Sequence, residues 1–182
     1  MGTPSGDWYK GTMTEAGLPD ATMRDGSPNG YLFLQISGTD YRTRYKAAGQ
    51  PAEYQMEVFA PKVIEAGKRT SAQFIANFFV GAADNSLRYR INGGKWQPMR
   101  QIESVDPTYF LKTFAWDVAD EVLTGRRPSN PVLTDHLWTA NVPTDLPAGT
   151  HTLEVEATDS YGQKHQATRT FRVVGAAEAM QR

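Results

Sequence analysis

Several residue types and patterns are missing from this 182-residue sequence, and their absence excludes whole classes of protein. There is no cysteine, so disulfide frameworks and thiolate chemistry are excluded. Neither sign of charge dominates, because 19 lysines and arginines oppose 20 aspartates and glutamates, and we therefore expect no nucleic-acid partner. No stretch approaches the roughly 18 apolar residues of a membrane span, so we expect no membrane insertion. The first thirty residues also lack the apolar segment of a signal peptide.

Bulky aromatic residues, by contrast, are plentiful: there are eight Phe, eight Tyr and four Trp. They supply the apolar surface that a single core requires, and the chain length lies within the ~100–200 residues that are common for one domain. We expect residues 1–182 to form a single domain, with 6–60 and 74–174 as possible sub-units. The sequence indicates no oligomeric state.

Short runs that alternate apolar and polar side chains recur along most of the chain, as is typical of half-buried strands. The runs lie at 31–36, 41–46, 54–59, 74–80, 87–91, 136–142, 150–158 and 166–174. Turn-forming clusters at 38–40, 92–94 and 159–162 separate some of them, and Asn92-Gly93-Gly94 is a strong hairpin signal. The pattern predicts an all-β protein, an antiparallel β-sandwich of immunoglobulin-like character.

One segment departs from the strand pattern and predicts a helix at about 107–124. Asp106 precedes Pro107, the arrangement of an N-cap followed by proline in the first turn. Apolar side chains then recur every fourth residue from Phe110 to Val122, and Gly125 can cap the end. We expect this apolar stripe to pack against a sheet.

The turn cluster at 25–30 places oxygen-bearing side chains at alternate positions, which hints at a calcium loop. The EF-hand pattern fails twice, because Ser27 stands where Asp or Asn is needed and Ile36 where Glu is needed. We interpret the cluster as a turn with Asx hydrogen bonds and glycine at positive φ. Asp25 and Asn29 are the candidate contact residues in it.

Tryptophan and histidine side chains supply the other candidates for a ligand or domain contact. Trp8 and Trp96 are candidate stacking residues, although packing is the usual role of aromatics in a sandwich. His136 and Trp138 are two residues apart and would share one face of a strand. A structural role with a satisfied hydrogen bond is the simpler interpretation of the pair, and it is also our interpretation of His151.

A basic stripe of Arg42, Arg44 and Lys46 occupies one face of the run at 41–46. Such a stripe could meet phosphate, but solvated charge that protects an exposed strand is the simpler interpretation. No catalytic residue is predicted, because the chain has no G-x-S-x-G nucleophile elbow and no other catalytic constellation.

Three blocks of sequence together carry a resemblance to a known family. The first block comprises GDW at 6–8, DGSPNGY at 25–31 and YKAAG at 45–49; the second comprises LRYRINGGKW at 87–96 and Met99; the third comprises HLW at 136–138, LPAGTHTL at 146–153 and ATDSYG at 157–162. In this order they resemble the C-terminal domain of bacterial calcineurin-like metallophosphoesterases, over nearly the whole chain.

The resemblance implies a non-catalytic accessory domain of a hydrolase, with its own upstream catalytic domain as partner and a periplasmic or secreted location. Calcineurin-like enzymes bind two metals through D-x-H, G-D-x-x-D, G-N-H and G-H-x-H motifs, and this chain has none of them. We therefore expect no cofactor and no metal ligand in this chain, and divalent metals in the catalytic domain. The alternative hypothesis is a carbohydrate- or surface-binding module that uses exposed aromatics.

Overall fold

The computed structural model describes Met13, Gly17 and residues 21–175, and this part of the chain contains eleven strands and one helix. The elements, in chain order, are β1 (Gly30–Ser37), β2 (Asp40–Ala47), β3 (Met56–Phe59), β4 (Val63–Glu65), β5 (Gln73–Phe78), β6 (Ser86–Ile91), β7 (Gln97–Pro98), β8 (Arg100–Ser104), α1 (Pro107–Asp117), β9 (Thr134–Asn141), β10 (Gly149–Thr158) and β11 (Lys164–Val174). The chain divides into two compact units. The first unit comprises Met1–Gln55 and Glu103–Asp135, and the second comprises Met56–Ile102 and His136–Arg182.

The first unit contains a two-stranded hairpin. Strands β1 and β2 pair antiparallel from Gly30↔Ala47 at the base to Ser37↔Asp40 at the tip. Tyr45 and Ala47 are buried at the base, and the tip is exposed. The Tyr45 hydroxyl donates to the carbonyl of Pro28, and burial, together with the nearby charge of Asp25, raises the pKa of Tyr45 to about 12.

Helix α1 starts where the sequence predicts. Asp106 is buried, and its Oδ1 accepts from the backbone N–H of Tyr109 at 2.7 Å, with Pro107 in the first turn. The predicted end at about 124 is wrong, because the helix ends at Asp117 and Val118 leaves helical geometry with φ −106° and ψ 7°. Asp117 accepts two hydrogen bonds from Arg127, at 2.6 and 2.7 Å, and this contact holds the chain as it turns away.

The predicted packing of the helix stripe on a sheet is also wrong. Phe110, Phe114 and Val118 are exposed, whereas Tyr109 and Thr113 form the buried side of the helix. The Tyr109 hydroxyl donates to the carbonyl of Ser129 at 2.9 Å, so the irregular segment at Ser129 contacts the buried side of the helix. Ser129 lies twenty residues after Tyr109, outside the window in which helical periodicity is read.

The second unit is a β-sandwich. One sheet has the order β4-β11-β10-β6-β7 and the other β3-β5-β9-β8. The pairs β10/β11, β10/β6, β3/β5 and β5/β9 are antiparallel, and β4 joins β11 in parallel. Side chains of both sheets, including Phe74, Leu153 and Phe171, meet in one core. The predicted fold class, an antiparallel β-sandwich with one inserted helix, is confirmed.

Two predicted turns of this unit have the geometry that their residues favour. Between β6 and β7, Asn92 and Gly93 both have positive φ, 52° and 69°, and Gly94 N donates to Ile91 O at 2.9 Å. Two successive residues at positive φ are what a type I′ hairpin turn requires. Between β10 and β11, the carboxylate of Asp159 accepts from the backbone N–H groups of Tyr161 and Gln163.

Candidate functional site

Trp138, one of the residues singled out in the sequence, lies in the sandwich core. It is 2% exposed and packs edge-on against Phe78, with 6.4 Å between ring centroids. The backbone of Gly81 lies so close that a Cβ there would stand 2.6 Å from the indole ring. The indole therefore presents no face to a ligand, and its observed role is packing.

His136 lies two residues earlier on β9 and is half-buried. Its Nδ1 is 2.8 Å from Oδ1 of Asn77, which is itself fully buried. Because an amide oxygen can only accept, the imidazole donates from Nδ1. This hydrogen bond stabilises a buried polar side chain between strands β5 and β9, as the structural interpretation of His136 requires.

Trp96 lies on the outer face of the five-stranded sheet and is covered by two guanidinium groups. The Arg88 and Arg90 guanidiniums stand 4.7 and 4.5 Å from the ring centroid. The same arginines pair with carboxylates of β10, Arg88 with Glu156 at 2.7 Å and Arg90 with Glu154 at 2.6 Å. The residues form a ladder of charge across β6 and β10, and Trp96 packs on top of it.

The ladder changes the acidity of both carboxylates. The pKa of Glu156 is held below its ordinary value by the Gln166 amide first and then by Arg88 and Lys164. The pKa of Glu154 is lowered by its hydrogen bond to Arg90. Both carboxylates are therefore ionised and paired at neutral pH, which leaves neither as a general acid.

Asp25 and Asn29 belong to a turn in the first unit. Asp25 Oδ1 accepts from Ser27 N at 2.9 Å, Gly26 has φ +85°, and Ala48 N donates to Asn29 O at 2.7 Å. The predicted Asx turn is confirmed. The Asp25 side chain thus closes the turn, and the backbone of Asn29 attaches it to the hairpin base.

The six candidates do not form one site. Trp8 lies outside the described residues. Asp25 and Asn29 belong to the first unit, and within the second unit Trp138 lies in the core whereas Trp96 lies on an outer face. Within the residues that the structure describes, no group of three or more His, Asp or Glu side chains is placed to hold a metal ion.

The histidines illustrate this dispersal. His151, predicted to be structural, is buried and accepts at Nδ1 from the Asn92 amide at 2.9 Å. Its Nε2 then carries the proton and donates to Pro147 O at 2.9 Å. His165 instead stands 3.3 Å from Asp159 at the β10–β11 turn. Each ring completes a local hydrogen-bond arrangement, and the structural role predicted for His151 is confirmed.

A surface that sequence reasoning missed lies at the end of the β1–β2 hairpin. Leu34, Ile36 and Tyr41 are 60, 67 and 64% exposed. Ile36 is directly opposite Tyr41 in the register, and Leu34 is two residues along β1, so all three share one face. We call these three residues the hairpin patch. The signal was present in the sequence, because the run at 31–36 is apolar on both faces except at Gln35.

The opposite face of the hairpin is aromatic and basic. Tyr31 and Phe33 are also exposed and meet edge to face at 5.2 Å, and the Arg44 guanidinium lies 4.8 Å from the Phe33 ring. Arg42 is exposed beside them, whereas Lys46 donates from Nζ to the carbonyls of Ala47 and Gln50. The basic stripe is thus exposed at its two arginines, and its lysine is engaged at the hairpin base.

Helix α1 carries a second exposed apolar surface within the first unit. Phe110 and Phe114 are 44 and 49% exposed and stack at 5.8 Å with 11° between ring planes, and Leu111 is exposed beside them. We call these three residues the helix patch. Exposed apolar side chains are ordinary when scattered, but contiguous groups of this kind mark interaction surfaces.

Comparison with family models identifies the chain. The model described as the C terminal of calcineurin-like phosphoesterase matches residues 1–165. The chain belongs to this family. It is thus a C-terminal domain of a calcineurin-like phosphoesterase, a family of metal-dependent enzymes whose catalytic part lies elsewhere. The resemblance inferred from the three sequence blocks is confirmed.

Comparisons with individual proteins add little to this assignment. No curated protein matches the chain. Among solved structures, a superoxide reductase (neelaredoxin) from Ignicoccus hospitalis is 13% identical over 66% of this chain and 80% of its own, with a TM-score of 0.30. A conjugative transposon lipoprotein from Bacteroides eggerthii is 13% identical over 64% of this chain and 93% of its own, with a TM-score of 0.27.

Helix length decides whether the described residues could span a membrane as a helix. The described residues contain one helix, α1, which has eleven residues. No helix among these residues is long and apolar enough to cross a membrane.

Proposed function

We propose that this chain is the non-catalytic accessory domain of a metal-dependent calcineurin-like phosphoesterase and that it packs against the catalytic domain through its first unit. The observation that carries the proposal is the hairpin patch, three large apolar side chains on one face that are mostly open to water. In a domain that belongs to the C-terminal part of a phosphoesterase, the catalytic domain is the partner for such a surface.

The energetics favour coverage of the hairpin patch. Full burial of a Leu or Ile side chain contributes about 1.5–3 kcal/mol, so coverage of Leu34 and Ile36 alone supplies several kcal/mol. A two-stranded hairpin is marginally stable in water unless it packs against another surface. Strands β1 and β2 form a sheet of their own, so the tip has no third strand among the described residues. Packing against the catalytic domain would supply the missing contact.

The surroundings of the patch indicate what the partner surface looks like. Arg42 and Arg44 lie on the opposite face of the same strand, with Asp40 as the acidic residue at the tip. An interface with an apolar centre and a charged rim is the common arrangement in protein complexes. Because these charged side chains lie on the other face of the hairpin, we infer only that the catalytic domain presents an apolar depression to the hairpin patch.

Thiol labelling in the full-length enzyme tests the proposal directly. This chain has no cysteine, so an Ile36→Cys variant introduces its first thiol, and peptide mass spectrometry reports maleimide modification at that position. In the chain alone the thiol should react rapidly, because Ile36 is exposed. In the full-length enzyme the reaction should slow by at least about tenfold, as expected for a buried group.

A matched control makes the outcome specific. Thr168→Cys places a thiol on an exposed position of β11 in the second unit, and it should react at the same rate in both proteins. Equal rates for Ile36→Cys in the two proteins would contradict the proposal. If the Ile36→Cys thiol is protected in the chain alone, and more strongly at higher protein concentration, the hairpin patch binds a second copy of the chain. This outcome would also contradict the proposal.

The non-catalytic part of the proposal has its own test. The chain is assayed with a chromogenic phosphate ester and Mn²⁺, in parallel with the full-length enzyme. We expect no turnover above background, because no group of side chains in the described part is placed to hold a metal. Turnover comparable to that of the intact enzyme would refute the accessory role.

A further inference from the structure

The second unit contains an open cleft that none of the candidate residues lines. It has a volume of about 880 Å³ and lies between the β4–β5 connector and the chain that follows β9. Its polar side chains are Arg69, Thr70, Ser71, Gln73, Asn141 and Thr144. The volume lies within the range of roughly 300–1,000 Å³ that is common for small-molecule sites.

Backbone contacts fix both walls of the cleft. At one end of the connector, Ala66 N donates to Val174 O of β11 at 2.8 Å. At the other end Gln73 starts β5, where it is paired with Asn141 of β9. Val142, which follows Asn141, is buried in the sandwich core. These contacts therefore position Gln73, Asn141 and the two ends of the connector that carries Arg69, which lowers the entropic cost of binding.

The charge in the cleft is uncompensated. Arg69 is exposed, and the structure gives its guanidinium no ion pair or hydrogen bond with any described residue. No described residue that lines the cleft carries a carboxylate. The site thus combines one cation with side chains that carry hydroxyl and amide groups, which suits a ligand with a single anionic group.

The hydrogen-bonding groups point to the type of anion. The Thr70 hydroxyl accepts from Ala72 N at 3.0 Å, and its own proton can still be donated. The Gln73 amide donates to Asn141 Oδ1 at 3.3 Å, which leaves the Asn141 amide N–H groups as donors. A tetrahedral phosphate has enough acceptor oxygens for a guanidinium and several hydroxyl and amide donors at once. The lining has no aromatic side chain on which a sugar ring would stack.

We propose that this cleft binds the phosphate ester of a small polar molecule. Arg69 would pair with the phosphate. The Ser71, Asn141 and Thr144 side chains would form hydrogen bonds with the phosphate and with its polar substituent. The proposal does not rest on the packing of the first unit, because every lining residue belongs to the second unit.

Isothermal titration of the chain with glycerol 3-phosphate, inorganic phosphate and glycerol tests the proposal. Glycerol 3-phosphate should bind saturably, inorganic phosphate more weakly, and glycerol not at all. The Arg69→Gln variant should weaken binding of glycerol 3-phosphate by about tenfold or more, the effect expected when a hydrogen bond to a charged group is lost. Thr144→Val should weaken it by a smaller factor.

The control variant is Arg126→Gln, an identical change at another exposed arginine, in the first unit. It should bind like the wild type, and all variants should keep the wild-type circular dichroism spectrum because the altered side chains are exposed. The proposal is overturned if no saturable binding is found up to about 10 mM ligand. It is also overturned if glycerol binds as well as its phosphate, or if both arginine variants lose affinity equally, since that would be an unspecific effect of charge.

Discussion

Gly81→Ala is the substitution whose effect on stability follows most directly from the structure. Gly81 has no positive φ, so alanine is strained there only by its surroundings. The added Cβ would lie 2.6 and 2.7 Å from two ring carbons of Trp138 and 2.9 Å from the carbonyl oxygen of Phe78. Trp138 cannot swing outwards, since it is buried in the core against Phe78. Overpacking of this kind costs about 1–3 kcal/mol of the free energy of unfolding.

Urea and thermal unfolding followed by circular dichroism measure this cost. In a chain of this size the melting temperature should fall by about 2–4 °C for each kcal/mol lost. Gly175→Ala is the matched control, because a Cβ at Gly175 meets nothing within 4 Å, and it should leave stability unchanged. The cost of Gly81→Ala should be smaller in a Trp138→Phe background, where the ring is shorter. An equal cost in both backgrounds would refute the reasoning.

Two further predictions concern single carboxylates. Asp106→Ala removes the N-cap of α1 and should lower the free energy of unfolding, measured by urea titration, by about 1 kcal/mol. The control Asp120→Ala, at an exposed position beyond the helix, should leave the free energy of unfolding unchanged. The folded-state pKa of Glu156 lies below its ordinary value of 4.5. Its paired carboxylate therefore stabilises the fold at pH values above 4.5. This stabilisation is lost as the pH falls through the folded-state pKa. Glu156→Gln should therefore have a lower urea midpoint than the wild type at about pH 7, and the two midpoints should converge in acid. A difference in urea midpoint that is the same at about pH 7 and in acid would contradict the stabilising role of the ionised Glu156.

The features predicted correctly from sequence depend on neighbouring residues. The Asx turn at Asp25 and the cap at Asp106 form through hydrogen bonds that span two or three residues. The hairpin turn at Asn92 and Gly93 needs positive φ, which these two residue types tolerate. Family membership also follows from sequence, because it rests on the order of short motifs along the chain.

The candidate contact residues were less predictable, because burial and contact depend on distant parts of the chain. Trp138 was a candidate for ligand contact, but its partner Phe78 is sixty residues away and puts it in the core. The charge ladder that covers Trp96 joins Arg88 to Glu156, which are 68 positions apart. The cleft that Arg69 lines likewise depends on the pairing of Gln73 with Asn141, and no local sequence motif predicts that pairing.

The sequence alone therefore determined eight of the eleven described strands, the turns, the start of the helix and the family of this domain. Only the tertiary structure decided which apolar residues are buried. The stripe at Phe110 and Phe114 has helical spacing, yet it is exposed, and the side of the helix with Tyr109, which contacts Ser129, is buried instead. The hairpin patch is exposed for the same physical reason, since a strand face is buried only where another part of the protein lies over it. Periodicity records that a face is apolar, and long-range packing decides what covers it.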